Sequence, residues 1–169
     1  MDGRGTALYA ASLDPIHYGH INIALRASRF FDRLIIAIYA NPQSKHMLFD
    51  VEERVALAAE LFQKYPAISV ASYSVLTVEY ARSVGAIALV RGLRVFGDFE
   101  FEFRMGMANK KLAPELETIA IMSDEQYMHI SSSTIREIAQ LGGDVSSMAP
   151  PSIANALRKK YRQHKSKAL

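Results

Sequence analysis

Residues 7–20 read ALYAASLDPIHYGH, a short apolar run followed by a turn and by two histidines that flank Tyr18 and Gly19. The run at residues 7–11 lacks the polar alternation of a half-exposed strand and therefore predicts a buried strand. Pro15 fixes the turn, and residues 20–31 then place apolar side chains at near-helical spacing. The stretch predicts a strand that passes through a tight turn directly into a helix.

The same order of elements recurs along the rest of the chain. Further apolar runs, short enough to be buried strands, cover residues 34–39, 68–71, 86–90 and 118–121. Asp50 and Glu53 form a D-x-x-E capping box at the start of a second helix, and further helical patterns cover residues 75–84, 98–112, 132–141 and 152–162. This alternation predicts a single α/β domain with a Rossmann-like, doubly wound, parallel five-stranded sheet. Ligands of such sheets bind beyond the carboxyl ends of the strands.

The composition is that of an ordinary globular protein, with 50% hydrophobic and 22% charged residues among 169. No run approaches the roughly 18 apolar residues of a membrane span, and the N-terminus lacks the apolar stretch of a secretory signal. The chain has no cysteine, which excludes disulfides, thiolate metal sites and a cysteine nucleophile. We therefore expect a cytoplasmic protein that does not bind membranes.

The basic charge is concentrated at the C-terminus. Residues 158–169 hold six of the 20 Lys and Arg residues and no acidic residue, so the rest of the chain has 14 basic against 17 acidic residues. We expect a domain at residues 1–157 and a basic tail at residues 158–169, either a solvated helix end or a disordered extension. We do not expect nucleic acid as a partner, and a tail that did bind it would show a steep salt dependence.

The turn after the first strand has the features of an anion site. Ser12 supplies a small hydroxyl group, and the free N–H groups and dipole of the following helix favour a phosphate. Gly19 lets the chain approach a ligand closely. His20, at the positive end of the helix, is biased towards the neutral imidazole and can donate a hydrogen bond to a phosphate oxygen. A lone histidine here would usually be structural, but the pair His17 and His20 is uncommon by chance.

Basic side chains follow two further strands. Arg91 and Arg94 come directly after the run at residues 86–90, and arginine has a planar donor fork suited to phosphate oxygens. Lys45 follows the run at residues 34–39 and can reach a phosphate as a compact cation. Each of these alone is more often a solvated surface residue, so they count as site candidates only together with the first motif.

The segment ISSSTIR at residues 130–136 opens a helix after the last strand. Serines at N-cap positions, with exposed N–H groups nearby, again suit a phosphate, although such caps are common. The chain has no GxxxxGK[ST] loop, no GxGxxG after the first strand and no serine elbow. Catalysis would therefore depend on positioning and charge stabilisation, as is typical of transfers at phosphorus.

Together, these two motifs resemble the signatures of the HxGH nucleotidyltransferases. Among these the chain most resembles the bacterial phosphopantetheine adenylyltransferase family, over nearly its whole length to about residue 157. Further matches to that family are LFDVEERV at residues 48–55, VRGLR at 90–94, GDFEFE at 97–102 and MANKKLAPELE at 107–117. The resemblance implies transfer of AMP from ATP to 4′-phosphopantetheine, giving dephospho-coenzyme A and pyrophosphate.

The resemblance also implies roles for individual residues. His20 would stabilise the transition state at the α-phosphorus, with Lys45 and Arg94 as further catalytic residues. 4′-Phosphopantetheine would be held by Ser12, Lys45, Thr77 and Arg91. The implied ATP site consists of Ser12, Leu13, His17, His20, Gly92, Leu93, Arg94, Glu102, Tyr127, Met128, His129, Ile130, Ser131, Ser132 and Ser133. Mg²⁺ would accompany the ATP phosphates without a protein metal site, and family members assemble as homohexamers.

The first motif departs from the family, whose members usually read PG[TS]FDP where this chain reads AASLDP at residues 10–15. The methyl group of Ala11 would crowd the nucleotide if the family glycine serves close approach, and Leu13 replaces an aromatic side chain. Many family members carry threonine at position 17, whereas histidine occurs in relatives that act on nicotinamide mononucleotide or other phosphates. Two alternatives therefore stay open: a nucleotidyltransferase for another phosphorylated acceptor, and a non-catalytic nucleotide-binding protein.

Overall fold

The computed structural model describes residues 3–40, 46–94 and 96–167. Five strands were expected, and each expected run lies within an observed strand. The strands are β1 Thr6–Ala11, β2 Arg33–Tyr39, β3 Ile68–Tyr73, β4 Ala86–Leu93 and β5 Glu117–Met122. The helices are α1 Tyr18–Ala27, α2 Val51–Phe62, α3 Thr77–Ser83, α4 Phe96–Leu112, α5 Ser132–Gln140 and α6 Pro151–Lys167.

The ends of the first two helices show how local sequence sets their limits. The expected capping box of α2 is confirmed, because Asp50 Oδ1 accepts from Glu53 N at 2.8 Å and Glu53 Oε2 accepts from Asp50 N at 3.0 Å. The expected extent of α1, residues 20–31, is wrong at both ends. This helix begins at Tyr18 after a cap by His17, and beyond Ala27 the N–H of Phe30 bonds to the Ala27 carbonyl in a tighter turn.

All four strand pairings are parallel, and the strand order is β3-β2-β1-β4-β5. The chain builds the sheet outward from β1 to β3, then returns to the other side of β1 and continues through β4 to β5. The direction of winding therefore reverses between β1 and β4, which is the topological switch point at which α/β sheets bind ligands. The expected Rossmann-like, doubly wound α/β fold is confirmed.

The core consists of two apolar clusters, one on each face of the sheet. Successive residues of β1 alternate between them, because Tyr9 belongs to the cluster with α1, α2, α5 and α6, whereas Leu8 belongs to the cluster with α3. The expectation that every apolar run is a buried strand is wrong for the two edge strands: of residues 68–71 in β3 only Ile68 is buried, and β5 is more exposed still. That strand lies at the sheet edge, where Ile119 is 38% exposed and only Ile121 is buried.

Helix α6 continues through residue 158, at which the basic tail was expected to begin. Lys160 forms an ion pair with Glu53 of α2, and its ammonium nitrogen lies 5.5 Å from the centroid of the Phe49 ring. The first turn of the basic segment is therefore docked on the body of the protein. Of the helices in the described part of the chain, none is long and apolar enough to cross a membrane.

Candidate active site

A cavity of about 460 Å³ opens at the carboxyl ends of β1 and β4, the position expected from the switch in strand order. The start of α1, the start of α5 and the first turns of α4 complete its wall. Its lining residues are Tyr9, Ala10, Ala11, Ser12, His17, Gly19, His20, Ile23, Met47, Arg91, Gly92, Arg94, Asp98, Glu102, Ser123, Ser131, Ser132, Ser133 and Arg136.

The two histidines of the first motif hold each other at the start of α1. His17 is the N-cap residue, and its Nδ1 accepts a hydrogen bond from the Gly19 backbone N–H at 3.1 Å. The His17 backbone N–H donates in turn to Nδ1 of His20 at 3.3 Å. The two rings are stacked, with centroids 3.7 Å apart and planes inclined by 28°. Each imidazole is therefore fixed by a backbone hydrogen bond and by its neighbour.

Both imidazoles are neutral at physiological pH. Burial lowers the pKa of His17 to about 3, with a further contribution from Arg94. The pKa of His20 also lies well below its ordinary value, because of burial first, then the proximity of His17 and of Arg94. Since Nδ1 of each ring accepts a hydrogen bond, the ring proton lies on Nε2. His20 therefore presents an N–H donor at the N-terminus of a helix, where a negative charge is favoured.

The structure gives a reason for a glycine at position 19 that the sequence did not reveal. A Cβ atom at this position would lie 3.0 Å from Cε1 and 3.1 Å from Nδ1 of His17, a contact that the ring could relieve only by shifting a few tenths of an ångström. It would also approach Cβ of Tyr127 at 3.7 Å. The glycine makes room first for the His17 ring, although it also lines the cavity.

Arg91 and Glu102 form a two-point ion pair in the cavity wall. Nε and Nη2 of Arg91 donate to the two carboxylate oxygens at 2.5 and 2.7 Å, and Nη1 donates to the Ala10 carbonyl at 2.5 Å. These contacts use three of the five N–H donors of the guanidinium group. The remaining two can bind an anion, and the side chain is held in place by both β1 and α4.

Arg94 connects β4 to the second motif. Its Nε and Nη2 donate to Asp98 at 2.9 and 3.2 Å, and its Nη1 donates to the Ile130 carbonyl at 2.7 Å. Asp98 was not among the expected site residues, although its i,i+4 spacing from Arg94 is a signal that sequence carries.

The second motif docks on the first. Ser131 is the N-cap residue of α5, since its Oγ accepts from Thr134 N at 3.1 Å. The Ser132 hydroxyl donates to the Pro15 carbonyl at 2.9 Å, and Arg136 donates to the backbone and side-chain oxygens of Asp14. Segments that are more than 100 residues apart in sequence thus form one wall of the cavity.

Two buried charged residues that sequence reasoning missed hold this arrangement. Asp14, 1% exposed, accepts from the backbone N–H groups of Leu48 and Phe49, each at 2.9 Å. Arg54 is 2% exposed. Its guanidinium group donates to the carbonyls of Ser12, Tyr39 and Ala40, at the ends of β1 and β2, at 2.8, 2.9 and 3.0 Å. It also donates to the Asp50 carbonyl at 3.3 Å. Their partners lie far along the chain, so no local pattern marks them.

The expected site residues divide into three groups. Ten line the cavity: Ser12, His17, His20, Arg91, Gly92, Arg94, Glu102, Ser131, Ser132 and Ser133. Seven do not: Leu13, Leu93, Thr77, Tyr127, Met128, His129 and Ile130. The side chains of Leu13 and Ile130 are buried in the core, and the Thr77 hydroxyl bonds to that of Tyr73 at 2.9 Å. Lys45 lies outside the described residues.

Comparisons with known proteins agree with the motifs. The model of the cytidylyltransferase-like family matches residues 8–138. The phosphopantetheine adenylyltransferase of Roseiflexus sp. (strain RS-1) is 48% identical over 155 residues, covering 92% of this chain and 96% of the relative. The phosphopantetheine adenylyltransferase of Herpetosiphon aurantiacus is 48% identical over 158 residues, covering 94% of this chain and 95% of the relative. That of Caldanaerobacter subterraneus subsp. tengcongensis is 43% identical over 157 residues, covering 93% of this chain and 98% of the relative.

Proposed function

This chain belongs to the cytidylyltransferase-like family and, within it, to the phosphopantetheine adenylyltransferases, and we propose that it transfers AMP from ATP to 4′-phosphopantetheine. The products are dephospho-coenzyme A and pyrophosphate, so the reaction serves coenzyme A biosynthesis. The observation that carries the proposal is the neutral His20, fixed at the start of α1 in a cavity that also holds Arg91 and Arg94.

The reaction is an in-line displacement that needs no covalent enzyme intermediate. A phosphate oxygen of the acceptor forms a bond to the α-phosphorus of ATP while the bond to the β-phosphate bridging oxygen breaks, and pyrophosphate leaves. Negative charge shifts onto the non-bridging oxygens of the α-phosphate during transfer. An N–H donor placed beforehand at His20 Nε2 binds that charge more strongly in the transition state than in ground-state ATP, which raises the rate.

The ATP side of the cavity is proposed to lie between the two motifs. His17, His20, Arg94 and the N-terminal serines of α5 present hydrogen-bond donors there. The side chains of Leu13 and Ile130 are buried, so these residues would contact ATP through their backbones. The Ile130 carbonyl already accepts from Arg94, which leaves the guanidinium group oriented by the second motif.

The acceptor side is proposed to centre on Arg91 and Ser12. Arg91 has two N–H donors beyond those held by Glu102 and Ala10, and a guanidinium fork suits a phosphomonoester. Ser12 lies at the end of β1 with its carbonyl fixed by Arg54. Lys45 and Thr77 complete the proposed set by family resemblance.

Mg²⁺ is proposed to enter with ATP rather than to bind a protein cage. Mg²⁺ is usually held by one or two carboxylates, water and substrate phosphates. In the cavity, Asp98 and Glu102 are each paired with an arginine. Within residues 3–40, 46–94 and 96–167, no group of three or more acidic or histidine side chains could hold a metal ion. When bound to the ATP phosphates, Mg²⁺ would neutralise charge on them.

We propose that the chain self-associates through α4 and β5. The family resemblance implies a homohexamer. The aromatic and methionine side chains along this surface are exposed by 42–75%; they are Phe99, Phe101, Phe103, Met105, Met107 and Met122. Exposed apolar side chains in this number on one helix and the neighbouring strand favour a protein interface. Light scattering coupled to gel filtration would give the mass of the assembly directly.

A coupled pyrophosphate-release assay tests the proposed function. Reactions would contain ATP, Mg²⁺ and either 4′-phosphopantetheine or nicotinamide mononucleotide, with a reaction lacking any acceptor as the control. We expect kcat/KM with 4′-phosphopantetheine to be at least roughly tenfold higher, a transition-state difference of about 1.4 kcal/mol. Equal rates would exclude the assigned acceptor, and no release with either acceptor would favour a non-catalytic nucleotide-binding protein.

A further inference from the structure

Tyr9 of β1 lines the cavity, although neither signature motif contains it. Its side chain is 5% exposed and packs in the core cluster on the α1 side of the sheet. The hydroxyl group points towards β4, since a Cβ atom on Gly92 would lie 3.8 Å from the Tyr9 oxygen. The Tyr9 hydroxyl oxygen therefore lies where β1 and β4 meet the cavity.

The Tyr9 hydroxyl makes no hydrogen bond to any residue in the described part of the chain. The hydroxyl oxygen is nevertheless not fully buried, and Tyr9 lines the cavity, so the oxygen is open to the cavity. Tyr73, on the opposite face, differs in this respect because its hydroxyl bonds to Thr77 at 2.9 Å. Tyrosine hydroxyl groups in protein interiors usually have a partner, and a ligand bound in the cavity that Tyr9 lines could supply one.

The electrostatic surroundings make this hydroxyl a donor to an anion. Burial raises the pKa of Tyr9 far above its ordinary value, although Arg91 and Arg94 act in the opposite direction. The phenol therefore keeps its proton at every physiological pH. A protonated hydroxyl beside two cavity arginines complements an oxygen that carries negative charge.

We propose that the Tyr9 hydroxyl is a substrate-binding group that donates a hydrogen bond to a phosphate oxygen of one of the two substrates. The inference rests on the proposed function, which places phosphates of both ATP and 4′-phosphopantetheine in this cavity. A bound substrate expels the water that otherwise solvates the hydroxyl, and leaving the hydroxyl unpaired would weaken binding.

The test compares Tyr9→Phe, which removes only the hydroxyl, with Tyr80→Phe, a half-buried tyrosine of α3 that does not line the cavity. Calorimetry would measure the dissociation constants of ATP and of 4′-phosphopantetheine separately, so that neither is turned over. We expect Tyr9→Phe to bind one of the two at least roughly tenfold more weakly, as is usual for a hydrogen bond to a charged group. The affected substrate identifies the phosphate, and Tyr80→Phe should bind both as the wild type does.

Thermal unfolding of the free protein completes the test. Because the hydroxyl has no partner within the described residues, we expect Tyr9→Phe to unfold at the wild-type temperature. Dissociation constants within twofold of the wild type for both substrates would overturn the proposal. A large loss of stability would overturn it as well, since the hydroxyl would then serve the fold. If the wild type turns over a different acceptor, the proposed function fails, and the same comparison with that acceptor still tests Tyr9.

Discussion

Arg91 of β4 is joined to Glu102 of α4 by two hydrogen bonds of 2.5 and 2.7 Å, so the guanidinium group is oriented before any substrate arrives. The third bond, to the Ala10 carbonyl, fixes the same group relative to β1. Arg94, three residues later, is held instead by Asp98 and by the second motif. The carboxyl end of β4 thus presents two preorganised arginines that are held by different partners, which suits two different phosphate groups.

We predict that Arg91→Ala and Arg94→Ala weaken different substrates. Arg91→Ala should mainly raise the KM for 4′-phosphopantetheine, whereas Arg94→Ala should mainly impair ATP use. Losing a charge-assisted hydrogen bond costs about 1.5–3 kcal/mol, or roughly 10- to 150-fold. Steady-state kinetics with each substrate varied in turn would measure both effects. Indistinguishable effects of the two substitutions on both substrates would refute this division.

Ala11 permits a test of the unusual first motif. Its side chain is half-buried at the end of β1 and lines the cavity. If the methyl group crowds the nucleotide, Ala11→Gly should tighten ATP binding a few-fold, or by up to about 1 kcal/mol. The same change should reduce stability by about 0.5–1 kcal/mol, because glycine loses more conformational freedom on folding. Calorimetry showing unchanged or weaker ATP binding would mean that the cavity already accommodates alanine.

The neutral histidine pair predicts how stability depends on pH. Burial holds the pKa of His17 at about 3, whereas in the unfolded chain histidine titrates near 6.5. Below pH 6.5 the unfolded state therefore binds more protons than the folded state. The contribution of His17 to the free energy of unfolding is fully present above that pH and is lost as the pH falls towards 3. Each such histidine contributes a slope of at most about 1.4 kcal/mol per pH unit.

His17→Thr isolates this effect, because threonine can also cap a helix but does not titrate. Urea unfolding between pH 7.5 and 4.5 should show that the free energy of unfolding falls less steeply in the variant than in the wild type. A difference between the two proteins that stays constant over this range would contradict the assignment of His17 as neutral in the folded state.

Arg54 should be important for both stability and the site. Arg54→Met keeps the apolar stem but removes the donors that bind carbonyls at the ends of β1 and β2. We expect a loss of about 3 kcal/mol or more in the free energy of unfolding, measured in urea, since several partly buried acceptors lose a charged partner. Arg33→Met, at an exposed position that begins β2, should change stability by less than about 0.5 kcal/mol. A similarly small loss of stability for Arg54→Met would show that water molecules replace the hydrogen bonds that the guanidinium group makes.

Sequence was sufficient for elements whose determinants are local. The apolar runs gave the position of all five strands, and Asp50 with Glu53 marked the start of α2, because a capping box spans only four residues. Asp14 and Arg54 could not be predicted, since their bonds reach residues 34–122 and 14–42 positions away. The exposure of β5 likewise depends on its place at the sheet edge, which the run at residues 118–121 does not reveal.

The most direct test of the mechanism is the turnover number of His20→Ala in the pyrophosphate-release assay with ATP and 4′-phosphopantetheine. His20 Nε2 is the donor assigned to the developing charge on the α-phosphate, and removing one such donor usually costs about 10²–10³ in rate. We expect kcat to fall by that factor or more, with 4′-phosphopantetheine binding by calorimetry and the circular dichroism spectrum largely unchanged. His17→Thr should reduce kcat less, since His17 acts mainly on the helix start and on the His20 ring. A His20→Ala protein with kcat within fivefold of the wild type would contradict the mechanism.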